Sequence, residues 1–124
     1  MMEEFVHLTL PAKAEYLTTA RLVAGSLAGQ AGFDMEEIED VKTALSEACL
    51  LLIPCMQQPG VLKLQLCVKD GVSAKVSAHC SPESCPNTPE RQFSVFLLQA
   101  LCNEFEFSYV EGESEYRFYK ALSD

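Results

Sequence analysis

Glu47 has the clearest potential for chemistry, because it lies in the middle of a segment with strong helical periodicity. Asp40, Thr43 and Glu47 are spaced by three and four residues and would form one polar stripe on that helix. A carboxylate placed in this way can act as a general base. One turn further along the stripe stands Leu51, where a two-component polar site would supply its second group. Glu47 is therefore the residue of this helix whose side chain could do chemistry.

Six cysteines are the second group of reactive side chains. Four lie inside apolar segments, where a thiol packs as a small hydrophobe, and the acidic N-terminus lacks the basic pattern of a secretion signal. We therefore expect reduced thiols. His79, Cys80 and Cys85 could sense a ligand or a metal, but no fourth ligand follows at a suitable spacing. The sequence favours a loop with incidental thiols and no metal site.

Length and charge narrow the class of protein. The chain has 124 residues, which favours one domain over 1–124, and its 18 acidic and 9 basic residues give a formal charge of -9. Such an acidic chain is poorly suited to a phosphate backbone, so we expect no nucleic acid partner. No apolar run is long enough for a membrane span. The expectation is a cytoplasmic protein without a membrane partner.

Apolar periodicity predicts three helices. The first covers 14–31 and ends at Gly32, a typical C-terminal cap. The second covers 34–54, where Asp34 and Glu37 have the spacing of a capping box and a core-facing stripe is formed by Ile38, Val41, Leu45, Ala48 and Leu52. Its final residues, 50–53, are apolar on all sides and require burial by the domain or by a partner. The third helix covers 93–102.

Alternating patterns predict five strands, at 5–10, 61–68, 72–78, 104–110 and 115–121. Asp70 and Gly71 form a strong hairpin signal between the second and third strands. Three prolines make 79–91 a predicted loop. The order of elements favours an α+β fold, a two-layer α/β sandwich with helices on one face of a mostly antiparallel sheet.

Several segments together resemble a known family. LTLPAKAEYLTTARL, GFDMEEIEDVKTALSEAC and FLLQALCNEFEFS resemble the anti-sigma-factor serine kinases of the RsbW and SpoIIAB type, small members of the GHKL ATPase superfamily. The resemblance implies a Bergerat-type sandwich, usually a homodimer, with ATP and magnesium as cofactors. It also implies binding to a sigma factor and phosphorylation of an anti-anti-sigma protein on serine.

The first family motif, SEAxxNA, is only half kept. Ser46, Glu47 and Ala48 match its beginning, and the resemblance gives Glu47 the role of activating the attacking hydroxyl or water. In the family an Asn four residues later coordinates magnesium between the phosphates. Leu51 replaces it here, and a leucine side chain offers no oxygen to a hard cation. The resemblance therefore makes Glu47 either a solvated or hydrogen-bonded relic or a weak base.

Two further family motifs also depart from the pattern. In the Asp-x-Gly motif, whose Asp accepts the adenine amino group, Ala78 and Cys80 take the two defining positions. In the Gly-x-Gly motif, which lets backbone N–H groups approach phosphate, Gln92 and Ser94 replace the glycines. The resemblance therefore predicts a family member whose nucleotide motifs are degenerate.

These departures set the functional prediction. We expect a regulatory protein-binding module that resembles anti-sigma factors and lacks ATPase and kinase activity, with no cofactor. The alternative is an ATP-binding serine/threonine kinase that phosphorylates an anti-anti-sigma partner. Arg21 matches a family position near the partner-facing surface, so we assign it to partner binding, with a solvated side chain as the plainer interpretation.

Overall fold

A computed structural model describes residues 4–57 and 59–123. Its helices and strands follow one another in the order that the sequence predicts. In chain order they are β1 (Phe5–Pro11), α1 (Leu17–Ala31), α2 (Met35–Leu52), β2 (Val61–Val68), β3 (Gly71–His79), α3 (Pro89–Leu101), β4 (Glu104–Val110) and β5 (Glu113–Ala121). Single 3-10 turns lie at Ala14–Tyr16, Ile53–Cys55 and Pro82–Ser84.

The strands form a five-stranded sheet in the order β1-β2-β3-β5-β4, and every neighbouring pair is antiparallel. Along β2, Leu62, Leu64 and Leu66 are buried, whereas Lys63 and Gln65 between them are more exposed. This alternation places one face of the sheet against the helices and the other toward solvent. The predicted α+β sandwich with its helices on one face is confirmed.

Two hairpin turns require left-handed backbone. Asp70 has a φ of 53° and Gly71 a φ of 141°, and a Cβ at Gly71 would collide with the carbonyl oxygen of Lys120. Only glycine fits such a position. Glu111 and Gly112 make the corresponding turn before β5, with φ of 53° and 84°. Because that turn is so tight, β5 begins two residues earlier than predicted.

The beginning of α2 follows its sequence signal. The Asp34 carboxylate accepts the N–H of Glu37 at 2.8 Å, and the Glu37 carboxylate accepts the N–H of Asp34 at 3.1 Å, which confirms the capping box. The hydroxyl of Ser123 donates to Glu37 at 2.7 Å. Hydrogen bonds from Ser123 and then Asp34 lower the pKa of Glu37. The acidic first turn is thus tied to the end of the described chain.

Small residues let α1 lie close to α2. Ala20, Ala24 and Ala28 are fully buried, and a Cβ on Gly25 would stand 3.2 Å from Cδ of Lys42. The helix ends at Gly32 with a φ of 95°, as predicted, but its first three residues form a 3-10 turn instead of α-helix. In the part of the chain that is described, no helix is long and apolar enough to cross a membrane.

The start of α3 corrects the sequence prediction. The helix begins at Pro89 and not at residue 93, so the predicted loop 79–91 is too long. The hydroxyl of Thr88 accepts the N–H of Arg91 at 3.1 Å, and Pro89 occupies the first helical position. A Thr cap followed by Pro is a regular helix beginning, because proline has no N–H to satisfy there. The proline count concealed this signal.

Candidate functional site

The predicted site residues come from neighbouring parts of the fold. Glu47 and Leu51 lie on the second half of α2, and Ala78 lies near the end of β3. Gln92 and Ser94 lie in the first turns of α3, which packs against α2. Because α3 begins at Pro89 and not at residue 93, Gln92 and Ser94 lie within a capped helix and not at the edge of a loop.

Glu47 and Ser94 form a direct contact across the two helices. The hydroxyl of Ser94 donates to Oε1 of Glu47 at 2.6 Å. Ser94 is only 7% exposed, and Glu47 is half-buried. The carboxylate is therefore held by a neighbour rather than fully solvated. A cavity of about 430 Å³ opens beside this pair and is also lined by Leu50, Pro54 and Phe93.

Leu51 is buried, and its carbonyl group is occupied. Its side chain is 1% exposed and belongs to the hydrophobic core. Nη1 of Arg91 donates to the carbonyl oxygen of Leu51 at 3.0 Å. A cation at the last turn of a helix satisfies a free carbonyl and opposes the negative end of the helix dipole. The sequence also predicts that residues 50–53 are buried. This burial is only partial, since Leu50 remains 38% exposed.

The same guanidinium connects α2 to the sheet. Nη2 of Arg91 donates to the phenol oxygen of Tyr116 on β5 at 2.6 Å. Burial raises the pKa of Tyr116, and the nearby Arg91 opposes that shift. The phenol is packed against the rings of Phe105 and Phe107, whose centroids lie 5.7 and 4.8 Å away. Arg91 thus joins three elements at one point.

Ala78 and Cys80 lie beside a second cavity, of about 510 Å³. Ala78 is buried and pairs with Ser114 of β5. The Ser114 hydroxyl donates to the carbonyl oxygen of Cys80 at 2.7 Å, so this backbone turn is held by the sheet. At the position where the family motif has a carboxylate, Ala78 has only a methyl group. Gln92 is exposed and donates to Asn87 at 3.4 Å.

The cysteines correct one expectation. Cys55 and Cys85, 30 positions apart in sequence, form a disulfide with Cα atoms 4.3 Å apart, so the expectation of reduced thiols is wrong for this pair. The fold brings the end of α2 beside the loop before α3, which sequence spacing does not reveal. Cys85 is therefore unavailable as a metal-binding thiolate in this state. Within residues 4–57 and 59–123, no cluster of three or more His, Cys, Asp or Glu side chains could hold a metal.

Arg21 lies apart from both cavities, on α1 facing the middle of α2. Its Nη1 donates to the hydroxyl of Ser46 at 3.0 Å, and its Nη2 stands 3.7 Å from the carboxylate of Glu39. The Arg21 side chain is 35% exposed. It is anchored within the protein and is not simply solvated. Its role in partner binding stays a prediction.

The residues at this site do not fit a magnesium–nucleotide complex. Magnesium requires oxygen ligands. The Leu51 side chain has none, and its carbonyl oxygen already accepts from Arg91, whose positive charge would repel a cation. At the adenine end, Ala78 offers no hydrogen-bond acceptor in its side chain. No reaction step can be derived through that complex from these residues.

Sequence reasoning missed Arg91, Tyr116 and the Cys55–Cys85 disulfide. The Thr88-Pro89 pair could have located Arg91 on the first turn of α3, facing α2. Tyr116 alternates inward on β5, but nothing in its spacing indicates an arginine partner. No signal in one sequence assigns the pairing of six cysteines.

Comparisons with known proteins agree with this fold. Residues 10–120 match the family described as Histidine kinase-like ATPase domain. Serine-protein kinases RsbW from Bacillus cereus (strain AH187) and Bacillus anthracis are each 29% identical to this chain, over 90% of this chain and 83% of theirs. The match over residues 10–120, together with the fold, defines a histidine kinase-like ATPase domain, and the chain belongs to that family. It resembles the anti-sigma-factor branch, as the sequence predicted.

A solved structure supports the same fold. The crystal structure of the RsbU and RsbW domains of a Mycobacterium tuberculosis protein superimposes with a TM-score of 0.76 at 18% identity. The match covers 96% of this chain and 32% of that longer chain. This likeness concerns the fold alone.

Proposed function

We propose that this protein is a regulatory protein-binding module of the anti-sigma type that works without ATP, ATPase activity or kinase activity. The observation that carries the proposal is the state of Leu51. Its side chain is buried in the core, and its carbonyl oxygen is bonded to Arg91. The position that supplies the metal ligand in the family is thus part of the protein's own packing.

The expected loss in affinity supports this proposal. Charge-assisted contacts contribute about 1.5 to 3 kcal/mol each, and a micromolar complex has a binding free energy of about 8 kcal/mol. Leu51 and Ala78 replace two polar groups of the family pattern, and Gln92 and Ser94 replace two glycines. Losing these contacts together removes most of a micromolar affinity.

Isothermal titration calorimetry with magnesium and ATP tests this proposal. We expect no heat of binding up to a nucleotide concentration of about 1 mM, because a 1 mM dissociation constant corresponds to only about 4 kcal/mol. A dissociation constant at or below about 10 micromolar, close to 7 kcal/mol, would contradict the proposal. Arg91→Ala is a useful second protein, since it removes the guanidinium that occupies the Leu51 carbonyl.

The proposed partner is a sigma factor or an anti-anti-sigma protein, and the proposed assembly is a homodimer. Arg21 is the anchor assigned to the partner surface. Candidate partners from the same genome can be expressed singly and titrated against the protein by biolayer interferometry. Arg21→Ala is the test, and Lys75→Ala, on the face of the sheet away from the helices, is the control. Sedimentation velocity measures the dimer. Equal binding by Arg21→Ala would exclude the anchor role.

The second candidate function is an ATP-dependent serine kinase with an altered site. Two observations favour it: the name serine-protein kinase of the relatives, and the retained Glu47. The names of the relatives support this function better than the first one. Glu47 would act as the base, and the Ser94 hydroxyl would have to release its carboxylate.

A transfer assay distinguishes the two functions. Phosphoserine on a purified candidate partner, formed with ATP and lost in Glu47→Gln, would establish the kinase. Ser94→Ala is the matched control, because it frees the carboxylate without removing it. If no partner gains phosphate from either the wild-type protein or Ser94→Ala, the first function stands.

A further inference from the structure

The Cys55–Cys85 disulfide lies between the two cavities of the candidate site. Cys55 and Ser84 line the cavity of about 510 Å³. The residues next to the two cysteines on their other sides, Pro54 and Pro86, line the cavity of about 430 Å³. The disulfide therefore forms part of the wall that separates them. It links the end of α2 to the loop before α3.

Beyond Cys80, whose carbonyl oxygen is held by Ser114 of the sheet, the loop up to Thr88 is otherwise organised largely by short-range hydrogen bonds. The Ser81 hydroxyl accepts the N–H of Glu83 at 3.2 Å, and Pro82 accepts the N–H of Cys85 at 3.1 Å. Such local turns hold a loop in shape without fixing it to the rest of the protein. The disulfide supplies a covalent attachment to α2.

The two sulfur atoms are not equivalent. Cys55 is only 4% exposed, whereas Cys85 is half-buried. Nη1 of Arg91 stands 4.0 Å from Sγ of Cys55. A nearby cation stabilises a thiolate, and a more stable thiolate leaves faster in thiol–disulfide exchange. Cys85, the less buried residue, thus offers the sulfur that is more open to attack, and Cys55, beside Arg91, has the better leaving group.

We propose that the Cys55–Cys85 disulfide is a redox-sensitive latch. When it is oxidised it separates the two cavities, and when it is reduced the two cavities join. A dithiol reductant attacks Sγ of Cys85, and the S–S bond breaks with departure of the Cys55 thiolate beside Arg91. The second thiol of the reductant then releases Cys85. The protein gains two electrons and two protons, and the reductant becomes a disulfide. This inference does not depend on whether the cleft binds a nucleotide.

Hydrogen exchange of the full-length protein tests the latch. The protein is purified without reductant, and peptide mapping after alkylation determines which cysteines are linked. Dithiothreitol is then added, and amide exchange is measured by mass spectrometry. We expect exchange in residues 80–88 to rise by at least about tenfold, because local opening becomes easier, while β2 and α1 stay unchanged. Unchanged exchange in 80–88 after complete reduction would overturn the proposal.

Matched variants separate the latch from general effects of reduction. Cys85→Ser should exchange rapidly in 80–88 with or without reductant, and Cys67→Ser, which removes a buried free thiol on the sheet, should behave as wild type. Arg91→Gln should slow the reduction of the disulfide by about threefold, and Arg91→Lys should restore the rate. A Cys85→Ser protein that remains protected in 80–88, or an oxidised protein with no Cys55–Cys85 link, would refute the latch.

Discussion

The two ends of α2 differ in how they are stabilised. At its beginning, Asp34 and Glu37 exchange hydrogen bonds with each other's backbone three residues apart. At its end, the carbonyl oxygen of Leu51 is bonded by Arg91, 40 residues away, and Cys55 in the following turn is linked to Cys85. One end is completed by its own sequence neighbours, and the other by distant parts of the chain.

This difference lies where the resemblance predicts that the site has changed. A helix beginning needs acceptors for its free N–H groups, and a local carboxylate supplies them. The end of α2 carries the position at which the family pattern has a metal ligand, and here a leucine, an arginine and a disulfide occupy that region. Predictions at the two ends therefore test whether the remodelled end now contributes to stability.

The largest effect is expected for Leu51→Asn, which restores the family residue at the remodelled end. The leucine is 1% exposed, so the change removes buried apolar surface and places an amide in the core. We expect the free energy of unfolding to fall by about 4 kcal/mol. Urea denaturation measures it. Leu51→Met, which keeps the volume, should cost less than about 1.5 kcal/mol. Equal stability of Leu51→Asn would mean that this end still suits a polar group.

Arg91→Ala should have the next largest effect. It removes the hydrogen bonds to the Leu51 carbonyl and to the phenol of Tyr116, and leaves both groups without this partner. The expected loss is about 2 to 3 kcal/mol in the free energy of unfolding, measured by guanidinium denaturation. Gln92→Ala, at the exposed neighbouring position, should change stability by less than about 0.5 kcal/mol. Similar losses in the free energy of unfolding for the two variants would show that Arg91 does not stabilise this end of α2.

Alkaline pH should weaken the buried half of α2. Burial raises the pKa of Cys49 from an ordinary value of 9.0 to about 12. The unfolded chain loses this proton near pH 9 while the folded chain keeps it, so the contribution to stability is present below pH 9 and is lost as pH rises toward 12. The expected loss from Cys49 is about 1.4 kcal/mol per pH unit in that window, and Cys102, whose pKa burial also raises to about 12, adds to it.

Unfolding by urea at pH 8 and pH 10, with reductant present, measures this dependence. Cys49→Ala has no thiol at that position and should show a correspondingly smaller loss between the two pH values. The same loss in both proteins would show that Cys49 does not control it. The capping box should not contribute to this pH dependence in either protein. The pKa of the Glu37 carboxyl lies below its usual range, so this group does not titrate at alkaline pH.

The smallest effect is expected at the locally completed end. Asp34→Ala removes the carboxylate that accepts the N–H of Glu37 and should lower the free energy of unfolding by about 1 kcal/mol. Asp34→Ser keeps an acceptor and should be nearly neutral. Thermal denaturation followed by circular dichroism measures both. If Asp34→Ala cost more than Arg91→Ala, the contrast between the two ends would be reversed.

Sequence reasoning succeeded where a structure depends on near neighbours. The capping box of α2, the Gly32 cap and the turn at Asp70 and Gly71 were all predicted. It failed at α3, where prolines suggested a long loop although Thr88 and Pro89 form a helix beginning. At the site it identified Glu47 and Leu51 but assigned neither Ser94 nor Arg91 as a partner. Those contacts span 47 and 40 residues.

The sequence by itself determined the fold class and the family, and it predicts the loss of the family's polar residues, because periodicity, capping and motif identity are carried by residues close together in the chain. Only the tertiary structure decided what took their place: a guanidinium that bonds Leu51 and Tyr116, a serine that holds Glu47, and the Cys55–Cys85 disulfide between two cavities. The physical reason is that these contacts depend on how α2, α3 and β5 meet in space. No local pattern specifies that meeting.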